Sequence, residues 1–350
     1  MNSDSKAVIE EAGPILLIPY MWIGDFVRCH SVVRVLRERW PDRPVDVLST
    51  TLCAPLTDYM PGVRKAVVVD LPRRRLAIGL QFELARRLRH ERYGTALVMS
   101  RTWKSALAPY LAGIPERIGF FGEGRFVLIN DIRWGERALP RMVDQCGALA
   151  LPAGAPLRPE WPLPELVVPK AEAEAWRARR GLTADARPIV TMSPGAVGKG
   201  KKWPAAHYAA LARALTAEGA DVWVLGGPNE TPLAAEIAAA GGPRVHDLTG
   251  NDLRDAVIAL TFADAAVTND SGLMHISAAL GAPTIGIFGP TSPRHWAPLN
   301  PVAAILEAPG RHPGPERGRY DLDNIRHRRT DDIPPEKTLE AVRRVLSERR

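Results

Sequence analysis

The stretch from Val267 to Thr291, VTNDSGLMHISAALGAPTIGIFGPT, constrains the fold more than any other part of the chain. Its pattern predicts a strand over Ala265–Thr268, a sharp polar turn, a helix over Ser271–Leu280 and a second strand over Thr284–Phe288. Two apolar strands joined by a helix indicate a parallel pair with a crossover connection. The chain is therefore expected to contain an α/β domain built on a parallel sheet.

The start of this helix is predicted to bind an anion. The backbone N–H groups of Ser271, Gly272 and Leu273 have no acceptor inside a helix, and the helix dipole favours negative charge there. Gly272 leaves room for a ligand to approach the backbone, and Ser271 and His275 lie off the apolar stripe that faces the sheet. A simpler alternative remains open, in which Asp270 or Ser271 only caps the helix and His275 lies on the surface.

Composition limits the classes of protein that the chain can belong to. A length of 350 residues allows two domains, and 46% hydrophobic with 24% charged residues is typical of globular proteins. The net charge of +7 suggests an acidic partner. Since no compact Lys/Arg block is interleaved with aromatic residues, we expect no nucleic acid, and acidic small molecules or anionic lipid headgroups fit as well.

Cysteine usage and hydropathy predict a cytoplasmic protein. The three cysteines, Cys29, Cys53 and Cys146, are far apart and form no CxxC, which favours neither a disulfide framework nor a zinc site. Met1–Pro14 has no apolar core of signal-peptide length, and no apolar run approaches 18 residues. Any contact with a membrane is therefore expected to be peripheral.

The first half of the chain alternates predicted strands with helices, as in a parallel sheet covered on both faces. After the apolar run Ile15–Pro19, one helix with an apolar stripe from Phe26 to Trp40 is predicted. Asp25 lies at its start, directly after Gly24, where it is either a helix cap or a carboxylate that reaches into a cleft. Further strands are predicted over Val45–Leu48, Ala66–Val69, Thr95–Met99 and Arg117–Phe120.

Basic residues are concentrated in this half. Arg73–Arg75 are consecutive, and Arg101 and Lys104 follow the predicted end of a strand. Runs of this kind are often solvated surface, but they are also candidate contacts for an anionic ligand.

The domain boundary is expected in Ala153–Pro169, which contains five prolines and no periodicity. Beyond it the pattern of strand, glycine loop and helix begins again. We expect one Rossmann-like domain over 14–165 and a second over 166–330. The tail at 331–350, with a predicted helix over Glu336–Glu348, is expected to pack back on the first domain.

A cationic loop follows the first strand of the second half. Gly195–Lys202, GAVGKGKK, matches the P-loop pattern GxxxxGK[ST] except at its last position, where the hydroxyl that binds magnesium is replaced by Lys202. An ATPase is therefore disfavoured, although Lys201 and Lys202 can neutralise phosphate without a metal. The chain also lacks GxGxxG, HExxH and GxSxG, so we predict no metal and no cofactor.

Together these motifs resemble glycosyltransferase family 9, the heptosyltransferases. The resemblance runs in order through WIGDFV, SPGAVGKGKKWP, LGGPNE, DLTG and TNDSGLMHISAALGAPTIGIFGPTSP. It implies a GT-B fold, in which two Rossmann-like domains face across a cleft, with the acceptor on the first domain and ADP-heptose on the second. The implied reaction is an inverting, metal-independent transfer of heptose to the inner core of lipopolysaccharide.

The resemblance also implies roles for individual residues. Asp25 matches the catalytic base, and an aspartate of ordinary pKa near 3.9 is ionised at neutral pH, as a base must be. The expected donor-binding residues are Ser193, Lys201 on the pyrophosphate, Glu230 on the ribose, Asp270 and His275, together with the amides of Ser271, Gly272 and Leu273.

The implied acceptor is an anionic, lipid-linked lipopolysaccharide core at the inner membrane, for which Arg101 and Lys104 are candidate contacts without a motif match. One departure is the stretch Glu307–Arg329, which has no cysteine where similar family members tend to have one. Two other functions remain open: a GT-B enzyme that uses another nucleotide sugar, and a non-catalytic nucleotide-sugar binding module.

Overall fold

The chain folds into two α/β units in a computed structural model. The structure describes residues 13–72, 75–139, 141–182, 186–310 and 327–348. Contacts divide the chain between Pro164 and Glu165, inside the proline-rich linker. Arg73, Arg74 and most of the cysteine-free stretch, 311–326, lie outside the described residues.

The first unit is built on one parallel sheet. Its strands are β1 (Ile15–Ile18), β2 (Val45–Ser49), β3 (Val63–Val68), β4 (Thr95–Val98), β5 (Glu116–Phe120) and β6 (Asp131–Arg133), in the order β3-β2-β1-β4-β5-β6. Its helices are α1 (Ile23–Arg28), α2 (His30–Arg39), α3 (Ala54–Thr57), α4 (Ile78–His90), α5 (Trp103–Leu111) and α6 (Met142–Ala150). Strands β1, β2 and β4 are buried over their whole length, as expected for central strands of a parallel sheet that is covered on both faces.

The second unit repeats this plan. Its strands are β7 (Ile189–Ser193), β8 (Asp221–Val224), β9 (Val245–Asp247), β10 (Ala265–Asn269), β11 (Thr284–Phe288) and β12 (Ala304–Glu307), in the order β12-β11-β10-β7-β8-β9. Its helices are α7 (Lys170–Arg179), α8 (Ala205–Ala217), α9 (Thr231–Gly241), α10 (Leu253–Leu260), α11 (Gly272–Ala279), α12 (Pro293–Trp296) and α13 (Pro335–Glu348).

Both sheets have the doubly wound order of a Rossmann fold. In each unit the first strand pairs with the second on one side and with the fourth on the other, and all these pairs are parallel. The connections leave the first and fourth strands in opposite directions, so a crevice opens beyond their carboxyl ends. The α/β class with parallel sheets is thus confirmed, and each unit has a natural place for a ligand.

One prediction about the elements was wrong, and three short strands were not predicted. The helix predicted over Phe26–Trp40 is two helices, because α1 ends at Arg28 and α2 begins at His30, with Cys29 between them. Strands β6, β9 and β12 were not predicted, since they are three or four residues long and carry polar residues at the sheet edges.

The C-terminal helix belongs to the second unit, which corrects the prediction that it packs back on the first. Its buried residues Ala341, Val342 and Val345 join the core formed by the second sheet and α8. These residues form one apolar stripe on the helix. The stripe packs against α8 and against strands β10 and β11 of the second sheet.

Part of the linker is held against the first unit. The Trp161 ring is buried over Gly147 of α6, and Trp161 Nε1 donates to Asp144 Oδ1 at 2.8 Å. Within the described residues no helix is long and apolar enough to cross a membrane.

The Gly147→Ala substitution is expected to destabilise the first unit. A methyl group at position 147 would overlap the Trp161 ring, and overpacking of this kind costs about 1–3 kcal/mol of unfolding free energy. Urea unfolding followed by tryptophan fluorescence measures the change. Gly79→Ala, in α4 with open space around it, is the matched control and should leave stability equal or higher. If Gly147→Ala and wild type unfolded at the same urea concentration, the close contact between Gly147 and the Trp161 ring would be contradicted.

Candidate active site

Lys201 and Asp270 meet at the crevice of the second unit. Lys201 is in the loop after β7, and Asp270 directly follows β10, the neighbouring strand. Lys201 Nζ lies 2.6 Å from Asp270 Oδ2, and the Thr291 hydroxyl donates to the same oxygen at 2.7 Å. The lysine side chain is 22% exposed, so its ammonium group is held in place while a ligand can still reach it.

Glu230 lies at the edge of the same crevice. Its Oε2 accepts the Gly227 N–H at 3.1 Å, and its Oε1 is 3.8 Å from Lys202 Nζ. A Cβ at Gly195 would come within 3.0 Å of this carboxylate, and one at Gly226 within 2.7 Å of the Glu230 Cβ. Glycine at both positions therefore leaves the space that the glutamate side chain occupies.

The expected anion site is at the start of α11. The helix begins at Gly272, with Ser271 as an extended N-cap residue whose side chain makes no capping hydrogen bond. The amides of the first turn, including Leu273, are thus presented at the carboxyl end of β10. Ser193 ends the adjacent strand, and its buried hydroxyl has no hydrogen-bond partner among the described residues.

One detail of this helix differs from the prediction. His275 was expected on a polar face, but it is 6% exposed and therefore buried. Met274, Ile276, Ser277 and Ala278 are buried too. Because α11 is enclosed on more than one side, the helix has no broad polar face.

Asn269 holds the loop over residues 194–204, which joins β7 to α8 and contains Lys201; we call it the lysine loop. The sequence did not reveal this role. Its Oδ1 accepts the Trp203 N–H at 3.1 Å, and its Nδ2 donates to the Pro194 carbonyl at 2.7 Å. One fully buried amide at the end of β10 thus fixes both ends of the loop from β7 to α8. The only signal in the sequence is its position within the predicted polar turn, which does not indicate a contact with this loop.

Thr330 fixes the same loop from the C-terminal tail. Its hydroxyl donates to the Lys202 carbonyl at 2.7 Å, and its N–H donates to the Gly200 carbonyl at 3.3 Å. Gly289 allows this approach, because a Cβ there would lie 2.7 Å from the Gly200 oxygen. Trp203 Nε1 also donates to the Ile333 carbonyl at 2.8 Å. No local motif marks Thr330, so the sequence alone gave no signal for this role.

Asp25 lies at the crevice of the first unit. It is in the first turn of α1, after β1, and its side chain is 17% exposed. Asp25 Oδ1 is 3.8 Å from Arg28 Nη1, and the buried Arg28 side chain also contacts Met142 Sδ at 3.4 Å. The pKa of the neighbouring Cys146 thiol is raised by its hydrogen bond with Cys29, by burial and by the negative charges nearby, including Asp25.

Arg101 and Lys104 follow β4 at the same crevice, and both have partners within the unit. Arg101 Nε is 2.9 Å from Glu136 Oε2, and Lys104 Nζ donates to the Pro72 carbonyl. Partial burial lowers the pKa of Lys104.

Arg125 supports the loop that carries Arg101. It donates to the carbonyls of Ser100 at 2.6 Å and Phe120 at 2.8 Å, and burial lowers its pKa to about 10, so it stays charged at neutral pH. In the part of the chain that the structure describes, no group of three or more His, Cys, Asp or Glu side chains is arranged to hold a metal ion.

Comparison with solved structures shows which class of fold the two units form. The structure of E. coli ADP-heptose LPS heptosyltransferase II superposes with a TM-score of 0.81 at 34% identity, covering 96% of this chain and 99% of the other. Two six-stranded parallel sheets in Rossmann order, each with a crevice at its first and fourth strands, are therefore those of a GT-B glycosyltransferase.

The chain belongs to glycosyltransferase family 9, the heptosyltransferases, whose family model matches residues 81–324. Lipooligosaccharide heptosyltransferase 2 of Haemophilus influenzae is 35% identical, covering 95% of this chain and 99% of the relative. Lipopolysaccharide heptosyltransferase 2 of Salmonella typhimurium is 36% identical, covering 95% of this chain and 99% of the relative. The family expected from the motifs is thereby confirmed, and the chain is an enzyme that transfers a glycosyl group.

Removal of the Thr330 hydroxyl is expected to loosen the lysine loop. Thr330→Val deletes the hydrogen bond to the Lys202 carbonyl, which costs about 1 kcal/mol, and limited proteolysis should then cut faster within residues 195–203. Thr338→Val is the matched control, because that buried hydroxyl has no partner among the described residues. Equal cleavage rates in both variants would contradict the role given to Thr330.

Proposed function

We propose that this glycosyltransferase moves heptose from ADP-heptose to the inner core of lipopolysaccharide, as a heptosyltransferase of the type 2 group. The observation that carries the proposal is the similarity to heptosyltransferase 2 proteins over nearly the whole of both chains. The placement of these residues at the two crevices supports it chemically.

The proposed base is Asp25. Its carboxylate takes the proton from an acceptor hydroxyl while that oxygen attacks the anomeric carbon of the donor. The bond from the anomeric carbon to the phosphate oxygen breaks in the same step, and ADP leaves with the electron pair. One displacement inverts the configuration. Partial exposure of the side chain, at 17%, is compatible with access by a sugar hydroxyl.

The second unit is proposed to bind the donor. The pyrophosphate would accept hydrogen bonds from Lys201 and from the amides of Ser271, Gly272 and Leu273, while Glu230 binds the adenosine ribose. Asp270 would position the Lys201 ammonium group through the contact at 2.6 Å, and Ser193 and His275 would contribute to the walls of the same site.

Lys201 and the backbone amides at the start of α11 would stabilise the negative charge that develops on the leaving group. Negative charge grows on the diphosphate as ADP leaves, and preorganised donors stabilise such charge most when they need no rearrangement. The lysine loop is fixed in advance by Asn269 and by Thr330. We therefore propose a metal-independent transfer that uses no cofactor.

The proposed acceptor is an anionic, lipid-linked core saccharide met at the cytoplasmic face of the inner membrane. Arg101 and Lys104 are candidate contacts at the crevice that holds Asp25, and each would exchange a contact within the unit for one with the acceptor. A GT-B enzyme for another nucleotide sugar and a non-catalytic binding module were the alternatives from sequence, and no comparison favours either. Inhibition of the transfer reaction by ADP, UDP or GDP would show which nucleotide the donor sugar carries.

Asp25→Asn is expected to lower turnover about 10²–10⁴-fold, because the amide cannot accept the acceptor proton. Donor affinity should change little, since the proposed donor groups lie in the second unit. Transfer from ADP-heptose to a heptose-deficient core, measured by mass spectrometry, gives the turnover, and calorimetry gives the affinity for ADP. Asp42→Asn, at an exposed position of the same unit, serves as control. Turnover close to wild type in Asp25→Asn would contradict the role as base.

Lys201→Met is expected to weaken ADP binding about 10–100-fold, because it removes a charge-assisted hydrogen bond and leaves the Asp270 carboxylate without its cation. Asp270→Asn in addition should restore part of the affinity. The neighbouring Lys202→Met is the matched control and should cost less than about threefold, since that side chain is 53% exposed and lies 3.8 Å from Glu230. Equal losses in the two single variants, measured by calorimetry, would argue against a specific role for Lys201.

A further inference from the structure

Exposed apolar side chains surround one edge of the first sheet. Every one of its six strands is followed by a large hydrophobic residue that is between 38% and 66% exposed. We call these residues the apolar rim: Trp22, Leu52, Ile78, Trp103, Phe121 and Trp134. Because all strands of the sheet are parallel, their carboxyl ends lie along one edge, and the apolar rim therefore follows that edge.

The corresponding edge of the second sheet is different. Among the described residues that follow strands β7 to β12, only Val197 is a large hydrophobic residue with comparable exposure. The two units have the same strand order, so the fold itself does not require an exposed apolar edge. Contiguous apolar surface on a globular protein usually marks an interaction site.

Helix α4 extends the apolar rim outward. Its buried residues Gln81, Leu84, Ala85 and Leu88 define the face toward the core. Ile78 and Phe82 lie one turn apart and off that face, with exposures of 56% and 58%. An apolar stripe on the solvent side of a helix has no role in packing the unit.

The charges beside this stripe are mostly positive. Arg75 and Arg86 are exposed on or next to α4, and Lys104 lies in the first turn of the adjacent helix α5. The exposed Glu83 is the one acidic residue of α4, and the exposed Arg87 of the same helix donates to the Val68 carbonyl. Two acidic residues near the apolar rim have internal roles, since Asp70 accepts hydrogen bonds from Thr51 and Glu123 accepts one from the Trp103 N–H. The partner that fits such a surface combines an apolar region with negative charge.

We propose that the apolar rim docks on the surface of an anionic phospholipid bilayer. Indole rings prefer the boundary between headgroups and acyl chains, and basic residues next to them are attracted to anionic lipids. Trp22 immediately precedes the helix that carries Asp25, so docking would bring the proposed base close to a lipid-linked acceptor. The inference rests on the proposed function, and it identifies the surface through which the acceptor is reached.

Vesicle flotation of the full chain tests the proposal. Wild type should float with phosphatidylethanolamine vesicles that contain phosphatidylglycerol, and less with phosphatidylcholine vesicles or at high salt. The Ile78→Ser/Phe82→Ser variant should bind at least about tenfold more weakly, because two exposed side chains no longer enter the interface. Val167→Ser/Ile305→Ser, which removes exposed apolar side chains from the second unit, is the matched control and should float like wild type.

The transfer assay separates this inference from the proposed function. With a deacylated, water-soluble core acceptor, Ile78→Ser/Phe82→Ser should keep wild-type turnover, whereas with acceptor embedded in vesicles its rate should fall in proportion to binding. Wild type that fails to float with any anionic vesicle, or a variant that floats equally well, would overturn the proposal. Vesicle binding that persists in a chain with no heptose transfer to either acceptor would instead refute the proposed function and leave the docking surface standing.

Discussion

The reversal of strand order in each sheet is the constraint on which the candidate sites depend. Chain connections leave the first and fourth strands in opposite directions, so no helix covers the space beyond their carboxyl ends. Asp25 and Arg101 follow such a pair in the first unit, and Lys201 and Asp270 follow one in the second. The same topology thus provides a place for a ligand in each unit, which we propose to be the acceptor in the first and the donor in the second.

Within the second unit, the lysine loop is held by hydrogen bonds that do not use the side chains of Lys201 or Asp270. Asn269 holds both ends of the lysine loop, and Thr330 holds its centre through the carbonyls of Gly200 and Lys202. A cation fixed before the substrate arrives needs little reorganisation when negative charge develops, which is the main requirement for stabilising a leaving diphosphate. We therefore propose that the lysine and the residues that hold its loop act together.

Much of this organisation could be predicted from the sequence. Long buried strands such as Thr284–Phe288 have unbroken apolar runs and were placed within a residue, and the motifs around Lys201 and Asp270 identified the family. Short edge strands such as Val245–Asp247 are too polar for that signal. The break at Cys29 is invisible because the apolar period continues through it.

The site was less predictable than the fold, because several of its supports come from distant parts of the chain. Thr330 lies 128 positions after Lys202, and no local pattern connects the two. His275 has the spacing of a surface residue, yet neighbouring elements bury it. The C-terminal helix was assigned to the wrong unit, since an apolar stripe shows that a partner is needed without showing which one.

The dependence of the lysine loop on Thr330 and Ile333 has a consequence for biosynthesis. A nascent chain that has completed every strand of the second sheet still lacks the tail that clamps residues 200–203. The lysine loop should therefore be fixed only after residues 330–333 have been made, when all strands of both sheets are already complete. Completion of the second sheet and completion of its lysine loop are therefore separate events in the synthesis of the chain.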